Sequence, residues 1–212
     1  MKVTIFGATG ALGRECLQQC LDAGHEVTAL VRSPAKLPAE VREQINIVEG
    51  DCLDPGSVSK ALERDTNGVL FAIGVDKGSR EDLCTHATRN ILNAMRDLEI
   101  RRFVWCGGGS NLVDDDQVTL GARFVEFFAR TFMSLKHRDK THQLELLAQS
   151  PDIDWLGVRP LQMRNGKKRG KYRVGFDRFS GLSVIHFADC ADSMIAMLED
   201  DTWIHKAPII QY

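Results

Sequence analysis

Val3-Thr4-Ile5-Phe6-Gly7-Ala8-Thr9-Gly10-Ala11-Leu12-Gly13-Arg14-Glu15-Cys16-Leu17 lies at the start of the chain and decides its reading. Thr4, Ile5 and Phe6 read as a short buried strand, and Gly7, Gly10 and Gly13 punctuate a turn. The run from Ala11 to Ala23 then carries Leu12, Cys16, Cys20 and Leu21 roughly on one face, which is helical spacing. A strand, a glycine turn and a helix N-terminus make an anion site, because the free N–H groups of the first helical turn and the positive end of the helix dipole point to one place. Gly7 lets the chain leave the strand sharply, Gly10 lets backbone approach a pyrophosphate, and Gly13 lets the helix pack closely on the sheet. The spacing is Gly-x-x-Gly-x-x-Gly, not the Gly-x-Gly-x-x-Gly of the dehydrogenase fingerprint. A plain tight strand–helix turn is the alternative, but the flanking strand and helix favour a dinucleotide site on Gly7, Thr9, Gly10, Ala11, Leu12 and Gly13.

Outward from this stretch, strand and helix patterns alternate. Strands are expected over 26–31, 45–48, 68–73 and 102–106, with helices over 35–44 and 55–64 and a strong helix opened by a capping box at Ser79-Arg80-Glu81-Asp82. The fourth strand is apolar throughout and ends at Gly74, as suits a central parallel strand covered on both faces. The pattern predicts an α/β fold: a Rossmann-type, doubly wound parallel sheet in three α/β/α layers. Residues 1–212 form a single domain, with substrate-side elements mainly in 110–212. Ligands in such sheets sit beyond the carboxyl ends of the strands, so Thr9, Arg32, Ala72, Ile73, Gly74 and the segment 107–111 should ring one crevice.

The end of the second strand selects the cofactor. An acid there would bind the ribose 2′-hydroxyl of NAD, but the chain reads Val31-Arg32-Ser33-Pro34 and the next acid is Glu40. Arg32 offers a forked, charge-assisted contact to a 2′-phosphate and Ser33 a hydrogen bond, so NADP is expected, with NADPH preferred over NADH. The alternative is a solvated Arg32 that merely stacks on adenine. Asp51, beside Cys52, reaches the adenine edge or simply caps a turn.

Beyond the fifth strand, 120–149 reads as a long helical region, in one piece or two, with Lys136-His137-Arg138-Asp139-Lys140 in its middle. A sixth strand is expected over 153–158 and a last edge strand over 208–211. The segment 159–178 carries Arg159, Arg164, Lys167, Lys168, Arg169, Lys171, Arg173 and Arg178 against Asp177 alone. It reads either as a solvated loop or as a basic lid over an anionic substrate.

Composition narrows the classes. A formal net charge of −2 gives no overall pull toward nucleic acid or membrane. No apolar run spans a bilayer and no signal peptide is visible, so a cytoplasmic protein is expected. The 6 cysteines form no Cys-x-x-Cys and none stands at zinc spacing with histidine. They read as buried small hydrophobes in a reducing compartment, and no metal site is expected.

Phe6-Gly7-Ala8-Thr9-Gly10-Ala11-Leu12-Gly13, Leu30-Val31-Arg32-Ser33, Gly50-Asp51, Arg159-Pro160 and Ile185-His186-Phe187-Ala188-Asp189 together resemble the atypical short-chain dehydrogenase/reductases. The resemblance covers nearly the whole chain and is greatest to the small NAD(P)H-binding group of NmrA-like proteins and biliverdin IXβ reductase/flavin reductase. It implies bound NADP(H) and, in the flavin-reductase branch, hydride transfer to a flavin or linear tetrapyrrole. The family pattern sets a Tyr four residues before a Lys; Lys140 fits that Lys, but position 136 is Lys. Tyr172 and Tyr212 do not fit, the family serine is displaced to Ser110, and Leu161 or Gln162 stands where the flavin-reductase branch has a histidine.

Reduction of an isolated ketone needs a positioned proton donor, whereas a flavin, quinone or bilin spreads the incoming electrons and takes its proton from water. The first expectation is therefore an NADPH-dependent reductase of a small, conjugated, anionic acceptor, with FMN or FAD among the candidates. Lys140 would bind the nicotinamide ribose, Ser110 would bond near the acceptor and His137 would relay a proton, unless it is only a solvated surface residue. The second expectation is a non-catalytic NADP(H) sensor of NmrA type with a protein partner. Nucleic-acid binding through the basic segment is a third and weaker one.

Overall fold

The computed structural model describes residues 1–75, 78–177 and 183–212. Its first half runs β1 (Lys2–Phe6), α1 (Ala11–Asp22), β2 (Glu26–Val31), α2 (Ala39–Arg42), β3 (Asn46–Glu49), α3 (Pro55–Lys60), β4 (Gly68–Phe71), α4 (Leu83–Asp97) and β5 (Arg102–Cys106). Its second half adds α5 (Leu120–Phe132), α6 (Ser134–Ala148), β6 (Asp154–Pro160), β7 (Gln162–Arg164), β8 (Arg173–Gly175), β9 (Val184–His186), α7 (Phe187–Ala196) and β10 (Ile209–Gln211).

Eight strands form one sheet in the order β3-β2-β1-β4-β5-β6-β10-β8, parallel except where β10 meets β8. β7 and β9 make a separate parallel pair. The order reverses between β1 and β4, the switch point where doubly wound sheets take their ligands. Phe6 is in register with Leu30 on one side and Phe71 on the other, so the first glycine turn emerges at that crevice.

Both sheet faces are covered because the central strands are apolar on both. β4 is buried along its whole length, and α1 and α7 pack on one face with Leu12, Cys16, Cys20, Ala191 and Met194. The other face is covered by α3, α4 and α6 through Val58, Ile91, Met95 and Leu147. This is the expected three-layer Rossmann-like fold, and among the described residues no helix is long and apolar enough to cross a membrane.

Several local expectations are corrected. The helix over 35–44 is a 3-10 turn, Pro34–Lys36, followed by the four-residue α2, because Pro38 cannot extend a helix and instead caps the next one. The long helical region is indeed two helices. β10 is no edge strand: it lies between β6 and β8, and β8 takes the edge.

The capping box at 79–82 is replaced by a tertiary cap. Asp82 stands at the N-cap of α4 without a side-chain cap bond, while Asp139 of α6 accepts from the N–H groups of Cys84 (2.8 Å) and Thr85 (2.9 Å) and from the Thr85 hydroxyl (2.7 Å). A buried carboxylate on the positive end of α4 thus locks two helices together.

Arg159 is the other correction. It is no lid residue but is fully buried, with its guanidinium forked onto Asp116 at 2.6 and 3.0 Å and bonded to the carbonyls of Asn111 and Ala207. The Asp116 side chain is 2% exposed, so this pair fixes the loop after β5 against β6 and the approach to β10. Removing one partner of a buried pair strands the other charge. Arg159→Met should therefore lower stability by about 3–5 kcal/mol in urea unfolding, and Arg159→Met with Asp116→Leu should recover a large part of it. Equal losses in the single and double variants would show that the pair is not what holds the loop.

Candidate functional site

The glycine turn begins where β1 runs out. Gly7 adopts φ 93°, and a Cβ there would lie 2.7 Å from the Ala72 carbonyl carbon, so a side chain is excluded by both conformation and the end of β4. A Cβ on Gly13 would overlap the Gly7 carbonyl oxygen. Without these side chains, α1 starts directly against the sheet. Gly10 is its N-cap, the Gly10 N–H is used within the turn on Gly7 O (3.0 Å), and no side chain caps the helix. The N–H groups of Ala11, Leu12 and Gly13 therefore lack intrahelical acceptors, and no acid stands in the first turn. This combination suits a phosphate anion.

Two cavities meet at that turn. The first, about 450 Å³, is walled by Leu30, Arg32, Asp51, Cys52, Arg80 and Leu83. The second, about 400 Å³, is walled by Leu12, Cys106, Gly107, Lys140, Met163 and Phe187. Gly7, Thr9, Arg32, Ile73 and Gly74 belong to both, so the two are chambers of one crevice joined beside the free N–H groups. A dinucleotide has this plan: two flat ends joined by a pyrophosphate. Arg32 is exposed at the end of β2, while one Asp51 oxygen is already engaged by the Leu53 N–H at 2.9 Å. Burial, reinforced by the neighbouring Asp51 carboxylate, pushes the Cys52 thiol up to about 12, which leaves it protonated and inert.

Gly7, Thr9, Gly10, Ala11, Leu12, Arg32, Asp51, Cys52, Ala72, Ile73 and Gly74 all line the crevice. Gly13 lies behind it as a packing residue, and Ser33, half-buried at the head of the 3-10 turn, is not in the described lining. Lys140 reaches the second chamber. Its ammonium bonds the Cys106 carbonyl (3.0 Å) and Gln143 Oε1 (3.1 Å) and sits 5.4 Å from the centre of the Phe71 ring. Two of its three donors are thereby occupied. Lys136, one turn earlier, donates to the Val75 carbonyl at 2.6 Å and ties α6 to the segment that follows β4.

Ser110 and His137 come together, but away from the described lining of either chamber. Ser110 Oγ and Asn111 Nδ2 both lie 3.4 Å from His137 Nδ1, a long approach for a hydrogen bond. His137 faces a groove between α5 and α6 that also carries Glu126 and Arg130. Burial, with Arg130 working against Glu126, holds its imidazole below the ordinary value. Among the described residues no group of His, Cys, Asp or Glu is placed to hold a metal ion.

Met163, Phe187 and Arg80 are lining residues that sequence reading missed. Phe187 carries the only advance signal, since it directly follows the Val184–His186 strand. Its place is set by Asp189 of the same helix, which is fully buried and accepts from the N–H groups of Arg169 (2.9 Å) and Gly170 (2.7 Å) and from the Tyr212 hydroxyl (2.6 Å). Asp192 binds Lys168, and the Arg169 guanidinium stacks 4.2 Å above Tyr212. Lys168 and Arg169 are thus pinned to α7 and the C-terminus rather than hung over the crevice; Arg178 lies outside the described residues.

A family model for NAD(P)H-binding proteins matches residues 7–201. The chain is 29% identical over 206 residues to the uncharacterized protein YwnB of Bacillus subtilis, an alignment covering 94% of this chain and 92% of YwnB. Its fold resembles a wide-type short-chain dehydrogenase/reductase of Veillonella parvula in complex with NADP, with a TM-score of 0.80 and 14% identity over 100% of this chain and 94% of that one. It also resembles a candidate NADH-flavin reductase of Streptococcus pneumoniae, with a TM-score of 0.78 and 23% identity over 100% and 99%. At these identities the two structural likenesses are likenesses of fold.

The Asp189 carboxyl is raised by burial, but the Tyr212 hydroxyl and the Gly170 and Arg169 amides outweigh that and hold it below the usual carboxylate range. Its contribution to stability is therefore complete above the unfolded-state value and is lost as pH falls through the folded-state one. The stability difference between the native protein and Asp189→Asn should be constant at neutral pH and shrink below about pH 4. Urea unfolding across pH reads this directly; a difference that grows on acidification would reverse the assignment.

Proposed function

Because this chain belongs to the NAD(P)H-binding family, we propose that it is an NADPH-dependent reductase of a small, conjugated, anionic acceptor. The observation that carries the reading is the second chamber. It continues from the phosphate-binding turn and is walled by Leu12, Ile73, Met163 and Phe187, with Lys140 as the cation at its far side and Arg32 at the border it shares with the first chamber. In this reading the N–H groups of Ala11, Leu12 and Gly13 hold the pyrophosphate and Arg32 holds the 2′-phosphate, with Ser33 beside it. Lys140 orients the nicotinamide ribose through its remaining donor, and Met163 and Phe187 press a flat acceptor against the reacting face while excluding water. The dinucleotide, when bound, would supply a hydride; the acceptor's conjugation accommodates the electron pair and water supplies the proton. FMN, FAD, bilins and quinones have this chemistry. Ser110 and His137 act, in the same reading, at the outer end of the acceptor. Six cysteine thiols suit a reducing, cytoplasmic setting.

A second reading is a non-catalytic NADP(H) sensor that binds a protein. The position of Ser110 and His137 outside the described chamber lining favours it, as does Lys136 where the family has its tyrosine. Steady NADPH oxidation with FMN, biliverdin or a benzoquinone supports the reductase. Saturable NADPH binding with no turnover on any of them supports the sensor and rejects the reductase.

The cofactor choice has its own test. Arg32→Glu should weaken NADPH binding about 10- to 100-fold, the worth of one charge-assisted contact, and change NADH affinity little. Equal losses for both, in fluorescence titrations, would remove Arg32 from the 2′-phosphate site.

A further inference from the structure

The helix α5 is built inside out. A surface helix normally turns its apolar stripe to the core, but here the residues facing inward are small: Ala122 and Ala129 are its buried side chains, and Ala122 packs on Ile209. The large side chains face outward. Leu120 is 87% exposed, Phe124 69%, Phe127 65% and Phe132 70%, and Phe128 and Met133 are each close to half exposed. The rings of Phe128 and Phe132 stack on one another at 4.8 Å, one turn apart. Taking roughly 200 Å² for each fully exposed aromatic side chain, the stripe presents on the order of 800 Å² of apolar surface. That exceeds what a monomer leaves in water and equals one partner's share of a standard interface.

The geometry points to a second copy of this chain as the occupant: two α5 helices packed antiparallel about a two-fold axis, stripe against stripe. The 13-residue helix gives about 20 Å of contact, and a two-fold axis lays the same row of phenylalanines on itself. Charge favours this pairing. Exposed Asp114 and Asp115 precede α5 and outnumber the exposed Arg123 of its first turn, while exposed Arg130 stands near its foot, so antiparallel packing brings the more acidic head of each helix to the basic foot of the other. The same charges disfavour a bilayer. With Asp116 buried on Arg159, residues 114–132 leave Asp114, Asp115 and the half-buried Glu126 against Arg123 and Arg130, whereas interfacial helices are rich in lysine and arginine. The paired helices would brace α6, which carries Lys136 and Lys140.

Sedimentation equilibrium of the native chain should give twice the single-chain mass. Phe124→Glu with Phe132→Glu, both at exposed positions, should raise the dimer dissociation constant about a hundredfold or more, while NADPH affinity, as the readout of folding, stays within about twofold. Asp114→Lys with Asp115→Lys should weaken the dimer less, by about three- to tenfold at low salt. A native chain that stays monomeric overturns the proposal. So does a dimer that survives the double phenylalanine change, or a monomer that sediments with phosphatidylcholine–phosphatidylglycerol vesicles. Indifference of the dimer to the aspartate reversal overturns the antiparallel arrangement.

Discussion

Three pieces of backbone meet at the end of β1 with no room for a side chain between them. Gly7, at positive φ, presses on the carbonyl of Ala72, and Gly13 presses on the carbonyl of Gly7. This contact sets the height of α1 above the sheet and leaves its first N–H groups uncapped at the switch point. It also brings the carboxyl ends of β1 and β4 close enough for one turn to border both chambers. Any Cβ at Gly13 would lift the helix, moving the anion site away from Arg32 and Lys140 together.

The outer half of the molecule depends on a different device: buried carboxylates that each collect donors from remote segments. Asp116 takes Arg159, Asp139 takes the first amides of α4, and Asp189 takes the loop at 169–170 and the C-terminal tyrosine. A buried charge is stable only when its bonds are satisfied, so these acids specify where the flanking segments lie. Through them Lys140, Phe187 and the loop after β5 are held to the same sheet. Arg159, Lys168 and Arg169 are used for architecture, and the anion-binding reading rests on Arg32, Lys140 and the helix N-terminus.

The alternation of strands and helices and the glycine spacing were legible in the sequence because they are local. A period of two or 3.6 residues and a turn without side chains follow from nearest neighbours alone. The residues assigned to the dinucleotide line the crevice apart from Gly13 and Ser33, but of the segment 107–111 expected around it only Gly107 is in the described lining. The failures are tertiary. Asp82 and Ser79 have the form of a local cap, but Asp139, more than fifty residues away, supplies the bond. Arg159 looked like one more cation in a basic run, since sequence does not show which arginine will meet a buried Asp116. Met163 and Phe187 could not be placed because they reach the chamber through the β7–β9 pair, whose strands are separated by the segment 165–183. His137 was brought to Ser110, but on the α5–α6 side.

The account joins one strong constraint, the glycine contact, to a crevice of fitting shape and charge. A crystal structure of the chain grown with NADPH tests that union most directly. The pyrophosphate should lie on the amides of Ala11 to Gly13, the 2′-phosphate beside Arg32, and the nicotinamide between Lys140 and the Met163–Phe187 wall. A dinucleotide bound in the opposite direction, with its 2′-phosphate in the second chamber, or bound away from the glycine turn, would contradict it.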